Sequence, residues 1–259
     1  MTDPGSSVEV SRLAEGRIAR VILNAGKGNV LSRAVIEELD GVFRAIGEDR
    51  AVVAVVLGAE GKHFSFGASV EEHVPGEVET MLPAFHRLFR TIAQAAVPIC
   101  AAVRGQCLGG GFELALAAHR IVVAEDANLG VPEITLGVFP PVAAAVLPLR
   151  VSQAVADRLV TTGETVTGAE AVALGVADQA CDAALVEEEA TRWAQRYLGL
   201  SGASVRFATR AARMAWDEAL CERLERLEKL YLEQLMKTAD AKEGIAAFME
   251  RRKPSWVNR

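Results

Sequence analysis

Apolar and polar positions partly alternate in two short pieces within residues 8–23, VEVSRL and RIARVILN, the period of strands that bury one face. At 33–47 the spacing changes: Val35, Ile36, Leu39, Val42, Phe43 and Ile46 recur every three or four residues, which predicts an amphipathic helix. The run AVVAVVLG at 51–58 is continuously apolar, β-branched and closed by Gly58, which predicts a buried strand. A loop rich in Gly, Ser, His and Glu follows at 59–79, then a helix at about 80–95 and a second buried strand, PICAAV, at 98–103. The segment GQCLGGGFELALAAH sets glycines before an Ala/Leu-rich helix, and IVVAE within 120–125 reads as a strand. Buried strands alternating with helices predict an α/β fold with a largely parallel sheet. From about residue 150 the pattern is almost wholly helical, and within 216–236 Leu220, Leu224, Leu227, Leu230, Tyr231 and Leu235 form an apolar stripe that needs a partner surface.

Composition fits this picture. Of 259 residues 51% are hydrophobic and 24% charged, which excludes a disordered chain and provides for one large core. With 28 Lys and Arg against 34 Asp and Glu, the net charge of −6 argues against nucleic acid, whose phosphates need a basic face. A small anionic ligand stays open, because local charge can oppose the total. Cys100, Cys107, Cys181 and Cys221 form no C-x-x-C pair, so a reducing, cytoplasmic setting is expected. No secretory leader is read at the start, and the uncharged stretch 134–149 is short for a membrane span and carries three prolines, so no membrane segment is expected. His63, His73, His86 and His119 show no ligand spacing, and no metal site is expected.

Three segments hold candidate chemistry: HFSFGASVEEH at 63–73, RGQCLGGGFELA at 104–115 and LGVPEITLG at 129–137. The first two place small residues in turns, where backbone N–H groups can face a ligand oxygen and form an oxyanion hole. The glycines of the second also precede a helix, whose N-terminus favours negative charge; tight packing alone would explain such a run equally well. Glu113 sits among apolar residues at the start of that helix, and Glu133 is the only charge of its segment. Each has an ordinary reading, a first-turn carboxylate and a solvated loop carboxylate. Beside two glycine turns they read together as a carboxylate pair able to hold different protonation states. Cys107 lacks a histidine partner and is read as a small pocket-lining residue rather than a nucleophile. His63 and His73 bracket the first loop, and Arg251, Arg252 and Lys253 form a basic cluster. Phosphate contact and plain solvation stay open for both groups.

GQCLGGGFELA, with the Glu of PEITLG twenty positions after its own Glu, FGAS upstream and FMERRKPSW near the end, resembles the enoyl-CoA hydratase/isomerase (crotonase) superfamily over essentially the whole chain. The resemblance implies a spiral of ββα units, with a core domain over 1–195 and a C-terminal helical region over 196–259 that mediates homotrimers or homohexamers. It implies that Ala68 and Gly110 supply the oxyanion-hole N–H groups and that Glu113 and Glu133 are the acid/base carboxylates. For binding the substrate and its CoA it points to His63, Ser65, Phe66, Gly67, Ser69, Gly109, Pro132, Phe139 and Pro141. No cofactor is implied beyond the coenzyme A of the substrate. The segments HFSFGASVEEHVPGE and VRGQCLGGG further resemble cyclohexa-1,5-diene-1-carbonyl-CoA hydratases, which form 6-hydroxycyclohex-1-ene-1-carbonyl-CoA.

Two departures from the family pattern stand out. Ser69 and Glu71 replace the Asp and Lys of many members, so phosphate contacts must come from elsewhere. GVFPPVAAA replaces a glycine-rich continuation, so Pro141 cannot donate an N–H, and a re-shaped acyl pocket is expected to suit a ring. The expected activity is hydration of a conjugated enoyl- or dienoyl-CoA. A straight-chain hydratase, an isomerase and a non-catalytic acyl-CoA binder are the alternatives.

Overall fold

A computed structural model describes residues 6–259. Its larger sheet has six strands, β1 (Val8–Leu13), β2 (Ile18–Leu23), β3 (Ala54–Ala59), β4 (Ile99–Val103), β6 (Arg120–Ala124) and β9 (Gln179–Cys181), in that order. Only the first pair is antiparallel, with Val8 opposite Leu23. A smaller sheet joins β5 (Gln106–Leu108), β7 (Asn128–Gly130) and β8 (Thr165–Thr167). From β4 to β7 successive strands alternate between sheets. β4 enters the large sheet, β5 the small one, and helix α3 (Gly110–Leu116) returns the chain; β6 and β7 repeat the step. This is the expected spiral of ββα turns.

The continuous apolar runs become central strands because both faces are covered. Every residue of β3 and β4 is buried, with α1 (Arg33–Glu48), α2 (Val78–Ala95) and α7 (Val186–Gln195) contributing to the same core. α1 starts where Ser32 accepts from the Val35 N–H and buries Val35, Ile36, Leu39, Phe43 and Ile46, the stripe predicted for it. Helices α4 (Pro141–Arg150), α5 (Gln153–Thr162) and α6 (Gly168–Ala173) follow the two catalytic-looking glutamates.

The almost wholly helical expectation after residue 150 needs correction. β8 and β9 lie there, each three residues long, too short for a period to show, and each completes an edge of its sheet. The predicted amphipathic helix is the second half of α8 (Gly202–Lys229), which passes into a π turn, Leu230–Gln234, and a 3₁₀ turn, Leu235–Lys237, before α9 (Ala239–Met249). Its stripe divides accordingly: Leu220, Leu224 and Tyr231 are buried, whereas Leu230 is exposed. No described helix is long and apolar enough to cross a membrane.

Candidate active site

A cavity of about 530 Å³ opens between the small sheet, the start of α3, the 3₁₀ turn Pro132–Leu136, the π turn and α9. Local structure delivers its two rims. The loop after β3 is pinned on two sides, to β5 of the smaller sheet by a bridge pairing Ser65 with Cys107 and to the segment before α1 by one pairing Ala68 with Leu31. The other rim is Gly109 and Gly110, where β5 turns into α3. Gly109 has φ +51°, and a Cβ there would stand 2.6 Å from Glu133 Oε1, so glycine alone lets the carboxylate lie over the turn. A Cβ on Gly110 would come within 3.1 Å of the Ala68 nitrogen and fill the space between the rims. Among the described residues neither the Ala68 nor the Gly110 N–H donates a hydrogen bond, which leaves two adjacent donors for one ligand oxygen.

The two carboxylates meet here in unequal surroundings. Glu113 is 2% exposed in the first turn of α3, and its Oε1 accepts from the Ala143 N–H at 2.8 Å. It thereby caps α4, whose N-cap is Pro140 and whose first residue is Pro141; the proline costs nothing at a position that has no intrahelical acceptor. Burial pushes the Glu113 carboxyl up to about 7, while the N–H groups of Ala143 and Val142 hold it back. Glu133 follows Pro132, and its buried Oε2 has no hydrogen-bond partner among the described residues. Burial, and secondarily the Glu113 charge, raise its carboxyl well above the ordinary range. The pair can therefore hold Glu133 protonated while Glu113 ionises near neutrality.

Of the other expected positions, Phe66, Gly67, Ser69, Gly109, Pro132, Phe139 and Pro141 line the cavity. His63 and Ser65 do not, and both expectations are corrected. Ser65 is fully buried; its hydroxyl donates to the Asn29 carbonyl and accepts from the Gly67 N–H, so it shapes the loop rather than meeting a ligand. The His63 ring accepts from the Gln106 N–H and packs edge-on against Phe66. Cys107 lies in the core rather than on the cavity wall, with burial pushing its thiol up. His73 lines the cavity, its ring bonded to the Ser69 carbonyl and its pKa lowered by burial. Arg252 is engaged by Glu243 and Glu250, and Glu71 faces the cavity where the family pattern has lysine.

Sequence reasoning missed the far wall. Leu82 and Phe85 of α2, Val138, Tyr231, Ile245, Phe248 and Met249 complete the apolar lining. Their spacing reads only as helix stripes; the one signal was a polar tip, Tyr231, within a leucine stripe.

Residues 14–259 match the enoyl-CoA hydratase/isomerase family. The chain is 42% identical to a cyclohexa-1,5-dienecarbonyl-CoA hydratase of Thauera aromatica, with 100% of each chain covered. It is 35% identical to a probable enoyl-CoA hydratase of Rhizobium meliloti, covering 95% of this chain and 96% of that one. Among solved structures, an enoyl-CoA hydratase/isomerase from Pseudoalteromonas atlantica superposes with a TM-score of 0.87 at 27% identity, over 97% of this chain and all of that one. The chain belongs to the enoyl-CoA hydratase/isomerase family. It is an enzyme of the enoyl-CoA hydratase type, a hydro-lyase.

Proposed function

We propose that this enzyme adds water to cyclohexa-1,5-diene-1-carbonyl-CoA, giving 6-hydroxycyclohex-1-ene-1-carbonyl-CoA. The observation that carries the reading is the pair Glu113 and Glu133, buried together but held unequally, facing the free N–H groups of Ala68 and Gly110. The ring is supported by the full-length likeness to a hydratase of that substrate and by the apolar wall of Val138, Phe139 and Pro141.

In this mechanism the thioester oxygen accepts from Ala68 and Gly110, which draws electron density out of the diene as negative charge develops. Ionised Glu113 takes a proton from water as the hydroxyl bonds to the ring carbon β to the thioester carbonyl. The diene electrons shift towards the thioester oxygen, and neutral Glu133 then gives its proton to carbon. The product keeps a double bond conjugated with the thioester, so that proton goes to the far end of the diene. A proton passing from Glu113 to Glu133 restores the resting pair. The assignment follows from environment: two helix N–H groups favour the charged form of Glu113, and none of comparable strength reaches the orphaned oxygen of Glu133.

The test is a substrate panel of cyclohexa-1,5-diene-1-carbonyl-CoA and crotonyl-CoA with products weighed by mass spectrometry. The expected result is gain of one water with preference for the ring. Preference for crotonyl-CoA overturns the ring assignment and keeps the hydratase. Turnover without gain of water replaces hydration by isomerisation. A homotrimer or homohexamer belongs to the same proposal, supported by Phe207 and Met214, 71% and 53% exposed and seven residues apart on α8, as an apolar strip for another copy.

A further inference from the structure

Tyr231 lies in the π turn at the end of α8, 1% exposed, and lines the same cavity as Glu113 and Glu133. Phe139 packs edge-on against its ring at 5.3 Å and fixes its direction. Its hydroxyl is buried without a hydrogen-bond partner among the described residues, and so is Glu133 Oε2. Two orphaned polar atoms in one cavity, neither satisfying the other, call for a third atom that satisfies both. Phenylalanine would fill the same space without leaving a buried hydroxyl unpaired, so a hydroxyl here points to a ligand oxygen.

The chemistry of that oxygen follows from the surroundings. Burial, then the negative charge of the pair Glu133 and Glu113, push the Tyr231 phenol far above its ordinary range, so it stays protonated and donates. The thioester oxygen has its own donors at Ala68 and Gly110. The oxygen left for Tyr231 is the one that enters as water and leaves as the product hydroxyl.

We propose that Tyr231 is a third polar residue of the site, whose hydroxyl donates to the attacking water and to the hydroxyl of the hydrated product between itself and Glu133. The inference rests on the hydratase reading and adds a group to it. It also gives the π turn a purpose, because a turn widened at 230–234 ends the long helix where Tyr231 meets the cavity and α9 folds back over it.

The test is Tyr231→Phe, assayed in both directions with cyclohexa-1,5-diene-1-carbonyl-CoA and 6-hydroxycyclohex-1-ene-1-carbonyl-CoA. The expected KM for the hydroxylated thioester rises about tenfold while that for the diene moves less than about twofold, since only the former carries the oxygen that Tyr231 holds. kcat/KM falls about a hundredfold equally in the two directions, as the fixed equilibrium requires. The variant keeps or raises its Tm, because an unpaired buried hydroxyl has gone. Unchanged constants, or both KM values rising together, overturn the inference and leave Tyr231 a core residue. Wild-type protein that fails to interconvert the pair overturns the hydratase reading itself, and the inference with it.

Discussion

At the scale of single residues, the proposed mechanism depends on keeping two carboxyl groups out of water and treating them differently. Glu113→Gln and Glu133→Gln preserve shape but remove base or acid, and each is expected to lower kcat about 10²–10⁴-fold with the fold intact. Steady-state rates alongside circular dichroism check this; two variants at wild-type rate would refute the carboxylate mechanism. Gly109→Ala is expected to be almost as damaging, because its Cβ would meet Glu133 Oε1 at 2.6 Å and its φ of +51° disfavours any other residue. A loss in kcat larger than any change in KM would place the damage in the chemistry rather than in thioester binding. Ala68 and Gly110 as candidate donors came from the family resemblance, whereas the two glutamates were legible as candidates in the sequence itself, because a lone carboxylate in an apolar segment and a glycine run before a helix are local signals. Their inequality was not. It arises from Ala143 and Val142, thirty and twenty-nine residues beyond Glu113, brought to its oxygen only by the docking of α4.

At the scale of elements, Arg206 shows how a helix is locked into place. Its guanidinium, on the first turns of α8, donates to the carbonyls of Ile46, Gly47, Asp49, Val52 and Ala95, thereby satisfying the C-terminal ends of α1 and α2 together. Arg206→Met leaves those buried carbonyls unpaired, and a loss of about 3–5 kcal/mol is expected in denaturant unfolding. Arg206→Lys is expected to recover little, since one ammonium cannot span a five-acceptor fork. The longer elements, α1, β3, α2 and β4, announced themselves through sustained periodicity. β8 and β9 did not, because three residues carry no period and their pairing is supplied by strands far along the chain. The π turn was equally hidden, since Leu230 and Tyr231 fit an unbroken stripe until the exposure of one and burial of the other shows where the helix changes.

At the scale of the whole molecule, buried ionisable groups tie activity and stability to pH in opposite directions. With Glu113 as the base, kcat/KM is expected to fall as pH drops through about 7, where its carboxylate is lost, and to fall again at high pH, where Glu133 loses its proton. Stability runs the other way. The folded Glu113 carboxyl binds its proton more tightly than the unfolded one, at about 7 against 4.5. The stabilisation this gives is complete below about 4.5 and gone once pH has risen through about 7. Glu113→Gln, which has no proton to lose, is therefore expected to melt roughly 7–14 °C above wild type at pH 8 and level with it near pH 4.5. Calorimetry at the two pH values checks this, and a difference that does not change with pH would place the effect outside ionisation.

By itself the sequence determined the fold class and the parallel core and singled out two isolated carboxylates beside glycine turns, since these are written in local patterns of apolar runs, glycines and lone charges; the family resemblance added Ala68 and Gly110 as the expected N–H donors. Only the tertiary structure decided which loop residues reach the cavity. It buried Ser65, bonded the His63 ring to the Gln106 N–H, placed Glu113 on the N-terminus of α4 and, among the described residues, left Glu133 an unpaired oxygen. It also carried Tyr231 across the chain to the same cavity. The reason is physical: burial and hydrogen-bond supply depend on segments far apart in the chain, and these set which carboxyl is charged and where a ligand oxygen can sit.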